Sequence, residues 1–161
     1  MRKFLLIALL AILSIPMMAE GTGSLLLNQT KERVPSEKKA CISAGVLQGG
    51  GGLVGVDFEY MIGKNFSAQA GLGAVSFGGA LNYHFKPFIN SSMVSVVYMH
   101  QGIGQSYTAS WVGSTYTFRA PKIFQAQIGF GYMVDFGPKA TSTMQSNPFG
   151  LIYSIGVFFP I

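Results

Sequence analysis

From Cys41 to Ile161 the apolar positions recur every second residue. Side chains of an extended strand alternate between two faces, so each face can be read separately. Phe124, Ala126, Ile128, Phe130, Tyr132 and Val134 form one apolar row, interleaved with Gln125, Gln127, Gly129, Gly131 and Met133. Val54, Val56, Phe58, Tyr60 and Ile62 oppose Gly55, Asp57, Glu59 and Met61. Phe66, Ala68, Ala70 and Leu72 oppose Ser67, Gln69, Gly71 and Gly73. Phe77, Leu81, Tyr83 and Phe85 oppose Gly78, Asn82 and His84. Leu151, Tyr153, Ile155, Val157, Phe159 and Ile161 oppose Ser154 and Gly156. Less regular rows span 40–47, 93–99 and 111–120. A helix would need spacings of three and four, which these rows lack.

The rows predict eight strands. An even number lets an up-and-down barrel close antiparallel. The expected fold is therefore all-β: an eight-stranded antiparallel up-and-down transmembrane β-barrel over 41–161. The connections alternate in length. Turns at 63–65 and 120–121 are tight, and 86–92 is somewhat longer. On the other side lie 49–52, 75–76, 100–110 and 135–148. The stretches 100–110 and 135–148 read as external loops and as the best contact surfaces. Gly49 to Gly52 reads as a mobile hairpin tip.

Periodicity does not say which face meets water. A soluble barrel of the lipocalin kind hides its apolar face, and a membrane barrel displays it. The composition favours display. The chain is 49% hydrophobic and 11% charged, against about 25% charged residues in an ordinary soluble domain. From Cys41 onward only eight side chains are charged: Asp57, Glu59, Lys64, Lys86, Arg119, Lys122, Asp135 and Lys139. The non-apolar rows hold Gly, Ser, Gln and Asn, which suit a narrow lumen. Aromatics on the apolar rows gather near strand ends, as bilayer interfaces select. Phe58 and Phe130 are mid-strand exceptions.

The N-terminus is a targeting segment. Arg2 and Lys3 precede a 12-residue, largely apolar run from Phe4 to Ile15, then Pro16 and Ala19. A positive start, a short apolar run and a small residue make a secretory signal peptide over 1–19. The run is shorter than the roughly 18 residues of a spanning helix. Residues 20–40 form a polar periplasmic lead-in. The formal charge of +5 arises partly from the export segment and is not clustered, so no nucleic acid is expected as a partner.

The last strand carries a family likeness. Ser154, Gly156, Phe159 and the terminal Ile161 resemble the C-terminal insertion signal of bacterial outer-membrane barrels, with Pro160 and the final Ile departing from it. With the export segment and eight strands, the chain resembles the small eight-stranded bacterial outer-membrane β-barrel proteins typified by OmpX and the OmpA membrane domain. The resemblance implies residence in the outer membrane, contact with outer-membrane lipids and lipopolysaccharide, and recognition of Ser154, Gly156, Phe159 and Ile161 by the barrel-assembly machinery. The partner of the external loops is not legible.

Candidate chemistry is thin. Asp57, Glu59, His84 and Arg119 all face the lumen, and a buried charge needs a partner. A Glu59–Arg119 contact is expected, with Asp57 or His84 beside it, closing the lumen. His100 with Ser106 and Ser110 is the only arrangement suggesting hydrolysis, and it lacks an orienting acid. No catalysis, cofactor or metal site is expected. The expected role is structural or surface-interacting. The alternatives are a soluble periplasmic lipocalin-like barrel binding an apolar ligand, a lipid-modifying hydrolase, or a narrow channel.

Overall fold

The computed structural model describes residues 37–103, 107–138 and 147–161. The expected signal peptide over 1–19 and most of the expected lead-in over 20–40 lie outside the described residues. Eight strands follow one another: β1 Ala40–Val46, β2 Val54–Met61, β3 Phe66–Gly73, β4 Ser76–His84, β5 Met93–Ile103, β6 Tyr107–Arg119, β7 Phe124–Phe136 and β8 Phe149–Pro160. Each pairs antiparallel with the next, and β8 returns to β1, closing the barrel. Closure leaves no unpaired sheet edge. The end bearing the β2–β3, β4–β5 and β6–β7 connections and the C-terminus is called the near end. The other is the far end.

Closure rests on β8. Ala44 faces Val157 and Cys41 faces Pro160 across the seam. Proline has no N–H to give to a ladder. The Phe158 N–H still reaches the Ile123 carbonyl, 2.7 Å away. Alternate N–H groups point the same way, so that of residue 160 would point past the start of β7 at Phe124. Pro160 therefore costs the barrel no ladder bond.

The faces segregate as the alternation predicts. Among the described residues, 32 large apolar side chains are exposed and seven hydrophobic ones are buried. The buried set also contains sixteen polar or charged residues. The lumen is less purely polar than the rows suggested, because Met93, Val97, Met133, Ile152 and Phe158 point inward too. These fill the bore beside small residues, as an eight-stranded cylinder requires.

Three connections differ from expectation. The stretch 100–110 is mostly ladder: β5 and β6 pair out to Ile103 and Tyr107. Alternation is hidden there because His100, Gln101, Gly102, Thr108 and Ser110 offer no apolar row to read; the bulge opposite Ser110/Trp111 lies in β7, where Asp135 and Met133 are their partners. β7 likewise runs to Phe136 and so absorbs the first two residues of 135–148, while β8 begins at Phe149, directly after that stretch.

The glycine run at 49–51 is no free tip. The Ser76 hydroxyl donates to the Gly49 carbonyl at 2.7 Å, and the Gln101 amide donates to the Gly51 carbonyl at 2.9 Å. The loop folds into the far mouth. A cross-strand row of Gly156, Gly45, Gly55 and Gly73 makes the space, since a Cβ on any of the four would strike the loop or the opposing backbone. Gly49 and Gly50 have φ of 65° and 79°, a region that β-branched residues avoid. A second row, Gly113, Gly131 and Gly150, admits the Trp111 ring, which borders Gly131 and Gly150.

Candidate functional site

The densest polar cluster lies in the lumen toward the near end. β2 supplies Glu59, β3 Ser67, β4 Asn82 and His84, and β6 Arg119. Each stands at an inward position of its strand, and each is at most 2% exposed. Cross-strand register brings Glu59 beside Gln69, and Ser67 beside Asn82.

Glu59 organises the cluster. Its Oε2 accepts from Arg119 Nη2 at 2.6 Å. Its Oε1 accepts from the Ser67 hydroxyl at 2.5 Å, from His84 Nε2 at 2.8 Å and from Asn82 Nδ2 at 3.1 Å. Four donors thus surround one carboxylate, which is how a charge survives outside water. Arg119 is equally committed. Its Nε donates to Gln125 Oε1 at 3.2 Å, and its Nη1 donates to the Ile89 carbonyl. Its guanidinium lies 4.9 Å from the Phe158 ring centroid, a cation–π distance.

Ile89 belongs to the β4–β5 connection and is wholly buried, packed with Cys41 and Phe158. The connection therefore turns inward and closes the near end of the lumen. Sequence reasoning missed this. The signal available was Phe88-Ile89 within a turn, two apolar residues that a solvated connection has no use for.

The expected Glu59–Arg119 contact is present, and His84 is the neighbour that joins it. Asp57 is not part of the cluster. It sits two residues farther along β2 toward the far end, where it accepts from the Gly49 N–H at 3.4 Å. Two residues along a strand span about 6.6 Å, and Gln69, which hydrogen-bonds Asp57 and accepts from Asn82 Nδ2 at 3.2 Å, links this second polar site to the cluster. The glycine loop, hidden at the level of sequence, explains why Asp57 turns away. The space between that loop, Asp57 and Gln69 is only about 30 Å³, room for about two water molecules.

Ser67, His84 and Glu59 are the residue types of a hydrolytic triad, but their geometry is not catalytic. A working triad uses both imidazole nitrogens, one toward the nucleophile and one toward the acid. Here His84 Nε2 faces both Ser67, at 3.0 Å, and Glu59. Nδ1 has no partner. Ser67 and His84 are 0% exposed, so no substrate reaches the hydroxyl. The cluster is suited to holding strands together.

At the far end His100 Nδ1 and Ser110 Oγ lie 2.9 Å apart across the β5–β6 ladder. The Phe77 ring packs against the imidazole at 4.9 Å between centroids. Asp135 lies opposite Ser110 in the β6–β7 register, one strand beyond His100. Ser106 lies outside the described residues. Among the described residues no group of three metal-ligating side chains converges.

The C-terminal quartet divides between faces. Ser154 points inward and donates to Gln127 Oε1 at 3.0 Å. Gly156 lies opposite Gly45 at the seam. Phe159 and Ile161 are exposed. The Ile161 N–H closes the ladder on the Ala40 carbonyl at 2.8 Å. No family model, curated protein or solved structure matches the chain.

Proposed function

We propose that this chain is a bilayer-spanning barrel of the bacterial outer membrane, with its lumen filled by side chains and a structural or surface-interacting role. One observation carries the reading: the exterior is apolar and the interior is charged. A water-soluble fold that exposed 32 large apolar side chains and buried Glu59, His84 and Arg119 would aggregate through its wall. A lipocalin-like ligand would need an apolar bore, and this bore is occupied by a charge network.

Exposed aromatics support the same reading. Phe66, Tyr83, Phe85 and Tyr116 form a chain of ring contacts at 5.4, 6.3 and 6.0 Å round the near end. Tyr132 and Phe149 pair at 5.2 Å toward the far end. Val56, Ala70, Leu81, Val96, Ala126 and Ile155 occupy the strand middles between them. Two aromatic belts flanking a mainly aliphatic band, interrupted by the exposed Phe58 and Phe130, match the two interfaces of a bilayer. β1 to β4 have 7 to 9 residues and β5 to β8 have 11 to 13, against roughly 9–11 needed to cross. On the short wall the exposed Leu53 and Val75 prolong the apolar surface beyond the strands.

The test is fractionation of cells that express the whole chain. The protein is expected in the membrane pellet, resistant to high salt and alkali, and released by detergent. Recovery from the soluble periplasm without detergent would eliminate the proposal.

A further inference from the structure

The described charges are distributed unevenly between the two ends. Every exposed cation among the described residues lies at the near end: Lys38, Lys39, Lys64, Lys86 and Lys122. Among the described residues Glu37 is the one exposed acidic side chain there, and Asp135 is exposed at the far end. The lysines are also spaced round the cylinder. Lys38 and Lys39 precede β1, Lys64 lies between β2 and β3, Lys86 between β4 and β5, and Lys122 between β6 and β7. Each near-end junction therefore carries one or two, at every second strand of a closed ring.

We infer that these five lysines form a collar that binds the headgroup phosphates of anionic phospholipids in the leaflet at the near end. The inference rests on the bilayer reading above. Three features favour a lipid over an acidic protein as the occupant. The ring surrounds the barrel, whereas a protein partner covers one patch. The lysines lie just beyond the exposed Tyr60, Phe66, Phe85, Phe118 and Phe124, where an interface places phosphates beyond aromatics. Finally, Lys38, Lys39, Lys64 and Glu37 share a cleft of about 440 Å³ with the apolar Met61 and Phe88. Cationic walls with an apolar flank suit a phosphate joined to a glycerol backbone. Lys38 also donates to the Pro160 carbonyl at 2.9 Å, which anchors the cleft to the C-terminal strand.

The test reconstitutes the full chain in phosphatidylcholine bilayers holding trace spin-labelled phosphatidylglycerol or spin-labelled phosphatidylcholine. The motionally restricted fraction reports lipid in contact with protein. Phosphatidylglycerol is expected to be favoured roughly three- to fivefold at low salt. The preference falls to about one at 1 M salt, where the screening length is about 3 Å, and in the variant with all five lysines changed to Gln. A restricted fraction without selectivity overturns the collar, leaves the bilayer reading intact, and makes an acidic protein surface the better occupant. Selectivity that survives the lysine changes also overturns it. No restricted fraction for either lipid overturns the bilayer reading itself.

Discussion

Arg119→Met is expected to lower the unfolding free energy by about 3–5 kcal/mol, the cost of leaving a buried charge without its partner. Glu59 would keep Ser67, Asn82 and His84 as donors but lose its one permanent cation. The change also removes the donors to Gln125 and to the Ile89 carbonyl, so the β4–β5 connection loses its tether. Combining Arg119→Met with Glu59→Gln is expected to recover most of the loss, because replacing a whole buried ion pair by neutral groups of similar volume is close to neutral. Reversible urea unfolding in detergent micelles reads both variants. A single-variant loss below about 1 kcal/mol, the range of an exposed pair, would show that the pair does not brace the lumen.

The second large effect is on the outer wall. Ile128 sits mid-strand on β7, between Tyr116 and Tyr153 in register, and is 55% exposed. Ile128→Arg is expected to cost about 2–4 kcal/mol in a bilayer, as for a cation at the midplane of a barrel wall. On a water-facing wall the same substitution stays within about 0.5 kcal/mol. Folding into lipid vesicles, followed by urea titration, separates the two values. A neutral result would place water against this wall.

Strand number, face assignment and the Glu59–Arg119 contact were legible because each depends on a period of two. Alternation decides which side chains share the bore, and a bore this narrow forces opposite charges together. What was not legible depends on connections. Nothing local to Gly49–Gly52 announces that it folds inward. The reason lies in Gly45, Gly55, Gly73 and Gly156, distant in sequence and adjacent only after pairing. Ile89 is hidden for the same reason, since its burial depends on Cys41 and Phe158 from the two seam strands. The far ends of β5 and β6 are hidden because His100, Gln101, Gly102, Thr108 and Ser110 carry no apolar alternation from which a period of two could be read. Ser67 and Asn82 are legible by the same rule: Ser67 is inward on β3, the neighbour of both β2 and β4, Asn82 shares the inward row of β4 with His84, and a buried carboxylate requires more donors than one arginine provides.

The most direct measurement is a scan of spin labels along β7 from position 125 to 134, one cysteine at a time in a Cys41→Ala background, in reconstituted bilayers. Oxygen concentrates in hydrocarbon, and a nickel chelate stays in water. The account predicts an oscillation of period two, with labels at 126, 128, 130 and 132 open to oxygen and closed to the chelate, and the contrast greatest near Ile128. Higher chelate than oxygen access at those same four positions would contradict it.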